Sequence, residues 1–257
     1  MRKQAAAALL LAALAGNTAG GAADDYWVWH PKVRLDRVLD RAGSLYLFQG
    51  ELTFRQGKVR YDRRGFSPPN ASAHPLILVY RCETLEWPGF LPQRIERDLE
   101  AFAAMGNRVW GIQLDFDAAT RHLERYGGFL RRVREQLPPR YRLSVTGLMD
   151  WGSQGRLEDL NRLHGVVDEI VFQAYQGRKP VRDHGKYLRL LAGRALTVPF
   201  KLGLVEGGDY DGDALHLVQR HPAYRGKVIF LVPPLRDSRD GGPPPASALP
   251  PRSALND

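Results

Sequence analysis

Cysteine is almost missing from this chain: Cys82 stands alone among 257 residues. No internal disulfide can form, so packing alone must hold the fold, and a lone Cys reads as a small buried hydrophobe rather than a reactive thiol. Long apolar runs are missing too. The longest, Ala5 to Ala15, falls well short of the ~20 residues a membrane helix needs, so no transmembrane segment is expected in the mature chain. The seven His show no H-E-x-x-H or comparable ligand spacing, which argues against a metal hydrolase, and no metal is expected. No Gly-rich phosphate loop follows an apolar segment and no G-x-S-x-G elbow occurs, so neither a cofactor nor a serine nucleophile is expected. Lysine is scarce, at seven of the 37 basic residues, and the net charge of +9 is carried by scattered arginines. Without a dense basic run interleaved with aromatics, nucleic acid is not an expected partner.

What is present begins with a leader. Arg2 and Lys3 precede the Ala/Leu run, and small residues lead to Gly21-Ala22-Ala23 before Asp24. This order reads as a secretory signal over residues 1–23, cut near Ala22 or Ala23, and implies export to the periplasm or beyond. From Arg236 to Asp257 the chain is rich in Pro, Gly and Ser and reads as a disordered tail. Residues 24–235 remain for one domain.

Within that domain short apolar segments alternate with helical ones. Eight strands are expected: Tyr26 to His30, Ser44 to Leu52 (continuing through a Gln56-Gly57 hairpin to Tyr61), Leu76 to Glu83, Val109 to Asp117, Tyr141 to Trp151, Asp168 to Gln176, Phe200 to Glu206 and Lys227 to Val232. Helices are expected over Val33 to Arg41, Pro92 to Met105, Thr120 to Leu137, Leu157 to Leu163, Asp183 to Arg194 and Asp213 to Arg220. The pattern predicts a single-domain α/β fold, a (β/α)8 TIM-type barrel with an irregular connection between strands 2 and 3. An open doubly wound sheet is the alternative.

In such a barrel the carboxyl ends of the strands carry function. Here they bear His30, Glu51, Glu83, Asp115, Asp117, Asp150, Trp151, Tyr175, Gln176 and Glu206. The fourth strand is the most informative. Alternation puts Trp110, Ile112, Leu114 and Phe116 toward helices and Gly111, Gln113, Asp115 and Asp117 inward. Two inward acids two positions apart are separated by about 7 Å, and their repulsion raises one pKa. That supplies a proton donor beside an ionised partner. A structural alternative pairs the two acids with Arg81 or Lys201.

The segment Gly111 to Asp117 resembles the D-G-x-D-x-D-x-E strand of chitinase-like family 18 glycoside hydrolases. The resemblance sets Asp117 on the catalytic Glu, Asp115 on the preceding Asp and Gln113 on the first inner Asp. Phe172 to Gln176 is similar to that family's M-x-Y-D, with Tyr175 as the Tyr beside the reacting sugar. Trp27-Val28-Trp29, Leu78 to Arg81, Gln113 to Asp117, Ser144 to Thr146 and Val167 to Glu169 also resemble a bacterial family known only as domain of unknown function 3142. The resemblance implies Asp117, Asp115 and Tyr175 as catalytic residues. Gln113, Gln173, Glu83, Arg81, Trp29, Trp151 and Glu206 are the candidate substrate contacts, and the expected partner is a carbohydrate or cell-envelope polymer. Asp117 is one methylene shorter than Glu, and Gln113 and Gln176 stand where the family has acids. A glycan-binding barrel without turnover, or a structural envelope protein, is therefore the second expectation.

Overall fold

The computed structural model describes residues 23–30, 32–33, 35–36, 38–67 and 71–232. The expected leader (but for Ala23) and the expected tail lie outside the described residues.

The chain runs through β1 (Asp24–Val28), β2 (Ala42–Arg55), β3 (Lys58–Arg63), β4 (Leu76–Cys82), α1 (Leu91–Ala104), β5 (Val109–Asp115), α2 (Leu123–Gln136) and β6 (Arg142–Leu148). It continues through α3 (Met149–Gln154), α4 (Leu157–Asn161), β7 (Glu169–Gln173), β8 (Tyr175–Gln176), β9 (Lys179–Pro180), α5 (His184–Ala192), β10 (Phe200–Val205), α6 (Gly212–Gln219) and β11 (Tyr224–Phe230). Strands β1, β2, β4, β5, β6, β7, β10 and β11 pair in parallel in that order, and β11 returns to β1. The ring is a closed (β/α)8 barrel.

Most barrel strands are buried on both faces, which is why segments such as β4, β7 and β10 read as largely apolar runs. Leu78, Ile112, Leu114, Val145, Ile170 and Leu202 face outward and share one core with Leu99 of α1, Leu130 of α2 and Leu188 of α5. Trp27, Tyr46, Ile77, Val79, Val171 and Val228 fill the interior. The irregular second connection is the expected hairpin: β3 pairs antiparallel with β2 across Gln56 and Gly57. Both turn residues have positive φ, 52° and 72°, as a two-residue type I′ turn demands.

Three expectations need correction. Among its described residues, Val33 to Arg41 holds only a three-residue 3-10 turn, Leu39–Arg41. Leu35, Val38 and Leu39 have helical spacing and pack on the core, but β2 begins at Ala42 directly after that turn. The fifth strand ends at Leu148, and Met149 to Trp151 begin α3 instead. The Trp151 ring packs outward on Tyr126, at 5.7 Å between centroids. Trp110, expected among the helices, packs against the interior cluster with Arg142 4.4 Å above its ring. The cause is a register shift: Leu76 pairs with Val109, but Ile77 pairs with Gly111, so one extra residue enters β5. A Cβ on Gly111 would sit 2.0 Å from the Arg142 carbonyl oxygen, so only glycine fits at this point.

The amino-terminal half of the barrel interior is polar. Lys201 Nζ lies 2.8 Å from Asp25 Oδ2 and 2.9 Å from Glu169 Oε2, and also donates to the Tyr46 hydroxyl. Tyr46 and Ser144 donate to Glu169, and Ser44 donates to Asp25. Gln113 joins the chain, accepting from Trp27 Nε1 at 2.6 Å and donating to Ser144 at 2.9 Å. Burial works against the Lys201 charge, but the two carboxylates outweigh it and hold the ammonium's pKa above its usual value. Replacing Lys201 by Met strands two buried acids, and should cost about 3–5 kcal/mol of stability in urea titration. A loss under about 1 kcal/mol would mean the cluster contributes little beyond packing.

Candidate active site

Strand β5 ends at Asp115, and Asp117 follows just beyond the rim. Because the added residue precedes Gly111, the alternation from Gly111 onward keeps Gln113 and Asp115 inward, and Asp115 lies opposite Arg81 of β4. Asp115 is buried and its Oδ1 accepts from Thr146 Oγ1 at 2.8 Å and from Gln173 Nε2 at 3.4 Å. Strands β4, β6 and β7 thus each turn one polar side chain toward the same carboxylate.

Asp117 is half-buried, and its pKa is pushed up to about 6. Burial is the larger cause and the negative charge of Asp115 the second, while Arg81 pulls the other way. The Arg81 guanidinium also faces Glu51, with Nε 3.5 Å from Oε1. Burial acts against its charge, but Asp115, Asp117, Glu51 and Glu83 together more than offset that. Asp115 and Asp117 share this cation, and burial pushes the carboxyl of Asp117, and also that of Glu51, upward.

Tyr175, at the start of β8, stacks on Phe230 at 5.3 Å and meets Trp27 edge-on at 6.1 Å. Burial first, and then the Asp115 charge, raise its phenol well above the ordinary range, so the hydroxyl stays protonated as a donor. These groups line one half-open cleft of about 360 Å³ at the carboxyl end of the barrel.

That cleft brings together Asp115, Asp117, Tyr175, Gln173, Arg81 and Trp29 of the expected set. Trp29 is less free than a sugar platform should be, because one ring face stacks on Phe48 at 4.8 Å. Four expected contacts lie elsewhere. Gln113 is fully buried below, its amide oxygen taken by Trp27 and its amide nitrogen by Ser144. Trp151 is fully buried in the outer core, its Nε1–H donating to the Ala118 carbonyl at 2.7 Å. Glu83 turns to the hairpin, accepting from Arg55 Nη2 at 3.3 Å and from the Phe54 amide. Glu206 accepts from the Val232 amide at 3.2 Å and does not line the cleft. Lys201, one of the two cations considered for the acids, is engaged in the amino-terminal cluster, which leaves Arg81.

One cleft-side residue was missed, and one strand-end acid was not counted among the substrate contacts. Thr146, the donor to Asp115, was visible only as a polar residue alternating with Val145 in β6. Asp150 lines the cleft, with Oδ2 accepting from Thr120 Oγ1 and no hydrogen-bond partner for Oδ1 among the described residues. Its place at a strand end was legible; its neighbours were not. Among the described residues no three His, Cys, Asp or Glu stand close enough to hold a metal ion, and no helix is long and apolar enough to cross a membrane.

Residues 84–186 match the family model described as "Domain of unknown function (DUF3142)", a stretch containing Asp115, Asp117, Gln173 and Tyr175. No curated protein matches the chain. Among solved structures the chain is similar to the spore cortex-lytic enzyme SleL of Bacillus cereus, at 18% identity and a TM-score of 0.48 over 72% of this chain and 50% of that one. It is similar to the chitinase domain of the spore coat protein CotE of Clostridium difficile, at 13% identity and a TM-score of 0.43 over 70% and 64%. It is also similar to the xylanase and alpha-amylase inhibitor protein XAIP-II of Scadoxus multiflorus, at 12% identity and a TM-score of 0.51 over 80% and 92%. The chain thus spans half to two thirds of the first two and nearly all of the third, and the likeness concerns the barrel fold.

The raised pKa of Asp117 has a consequence for stability. Its folded value of about 6 exceeds the ordinary 3.8, so the fold binds an extra proton between them. The stability this group contributes is full below the lower value and is lost as pH rises through the upper one. Asp117→Asn, which cannot ionise, should therefore gain about 1–2 kcal/mol over the parent at pH 8 and nothing at pH 4. Urea titrations at the two pH values measure this, and an equal gain at both would show that charge is not the cause.

Proposed function

We propose that this is an exported glycan-directed barrel in which Asp117 acts as general acid/base on a glycosidic bond. The observation that carries the reading is the cleft in which Asp117, raised to about 6, stands beside Asp115 and Tyr175. A donor with a pKa near working pH is what acid catalysis of glycoside cleavage needs. Asp115, held by Thr146 and Gln173, is the fixed negative partner: it keeps the Asp117 proton in place and stabilises positive charge developing on the sugar. The Tyr175 hydroxyl and Gln173 amide supply donors to the same sugar, and Arg81 limits the repulsion between the two acids. The resemblance of Gly111 to Asp117 and of Phe172 to Gln176 to family 18 strands supports these roles.

A second reading keeps the glycan and drops the cleavage. The carboxyl of Asp117 is one methylene short of a Glu, and a displacement of about 1 Å can cost on the order of a hundredfold in rate. The basic head and apolar run before Asp24 support export.

A panel of fluorogenic glycosides and cell-wall polymers tests the main reading. Turnover is expected, with an alkaline limb near pH 6 where Asp117 loses its proton, and Asp117→Asn should lower the rate by about 10²–10⁴. Turnover indifferent to that change would remove Asp117 from the chemistry; glycan binding without any turnover would establish the second reading. Export predicts that the protein recovered outside the cytoplasm has lost the segment up to about Ala22 or Ala23 by mass spectrometry; an intact amino terminus on that material would refute cleavage.

A further inference from the structure

The hairpin beside the cleft carries charge in a pattern the proposed acid chemistry does not use. Its register places Glu51 opposite Asp62, Thr53 opposite Arg60 and Arg55 opposite Lys58, so these six side chains share one face. Leu52, Phe54, Val59 and Tyr61 occupy the other. Tyr61 meets Tyr80, whose hydroxyl reaches Asp98 of α1, so that second face turns toward the helical layer. The first face is continuous with the barrel interior, because Glu51 pairs in register with Arg81, which lines the cleft.

We propose that this inner face of β2 and β3 is a cationic wall that binds an anionic polysaccharide lying across the cleft. The inference rests on the glycan-directed reading above and adds the class of polymer. Four cations of the hairpin and its edge stand here, Arg55, Lys58, Arg60 and Arg64, against the carboxylates of Glu51, Asp62 and Glu83, while Arg81 also serves Asp115 and Asp117. Those acids are all engaged: Arg55 holds Glu83, Arg64 holds Glu51 and Asp62, and Arg81 holds Glu51. Lys58 and Arg60 are exposed and have no ion pair among the described residues. A row of unspent positive charge beside a cleft attracts an anionic chain and aligns it with the acids at the cleft floor.

A lipid surface fits less well. Phe54, the exposed apolar residue of the hairpin, lies on the face opposite Lys58 and Arg60, whereas membrane docking needs apolar and basic groups to enter the interface together. A nucleic acid fits less well too, since the inner face offers no aromatic ring for a base to stack on.

The test compares two polymers on one backbone, anionic carboxymethyl chitin and neutral glycol chitin, by affinity electrophoresis of the full chain at low salt. Vesicles of phosphatidylglycerol form a third arm. The intact protein is expected to bind carboxymethyl chitin more tightly than glycol chitin. The double change Lys58→Glu with Arg60→Glu should weaken the first by about tenfold and leave the second unchanged. Lys58→Gln with Arg60→Gln should fall between, and melting curves check that all variants fold. Equal binding of the two polymers by the intact protein, no binding to either, or a double variant that binds like the parent overturns the proposal. So does binding to the vesicles that exceeds binding to carboxymethyl chitin and is lost in the double variant. Repeating the series with Asp117→Asn separates the two readings. A wrong assignment of Asp117 leaves the polymer preference intact, whereas a failed wall leaves the Asp117 chemistry standing.

Discussion

A closed ring of strands forces every inward side chain to find its partner inside the ring. The Lys201 ammonium between Asp25 and Glu169 is where this protein meets that demand most fully. With Tyr46, Ser44, Ser144, Gln113 and Trp27 it forms one connected hydrogen-bond chain across strands from both halves of the sequence. A half-satisfied network of this kind would be worse than an apolar plug. The acids at the rim face a different balance. Asp115 and Asp117 share the Arg81 guanidinium, which also faces Glu51, and burial first, then the Asp115 charge, push the pKa of Asp117 up.

The two layers divide the barrel by purpose. The amino-terminal layer sets one ammonium between two carboxylates, with neutral donors completing the bonds, and fixes strand positions. The carboxyl-terminal layer is less even: three strands offer Arg81, Thr146 and Gln173 to Asp115, and of these the Arg81 charge also acts on Asp117.

The barrel was legible because buried parallel strands leave short apolar runs, and all eight barrel strands began and ended within a few residues of expectation. The hairpin was legible in Gln56-Gly57. Local pattern failed where tertiary contacts decide. Val33 to Arg41 has helical apolar spacing at Leu35, Val38 and Leu39, but β2 takes over at Ala42 after a single 3-10 turn. Trp151 looked like the end of a strand and a sugar platform, yet its ring and indole N–H belong to the outer core. Asp115 and Asp117 stood out as acids ending an apolar strand. Lys201 could not be matched to Asp25 across 176 positions, since nothing local records that pairing. Gln113 carried a family position in its motif, but its neighbours Trp27 and Ser144 use both ends of its amide.

The extra residue at the start of β5 acts as a phase setter for everything downstream on that strand. Strand side chains alternate with a period of two, so the parity of the count between Val109 and Asp115 decides which way both acids aim. Length variation ahead of Gly111 by a single residue would swing Asp115 and Asp117 out into the greasy layer under α1 and α2 and bring Leu114 and Phe116 into the lumen. At this bend the count of residues can change by pairs but not by one without turning the acids out of the lumen.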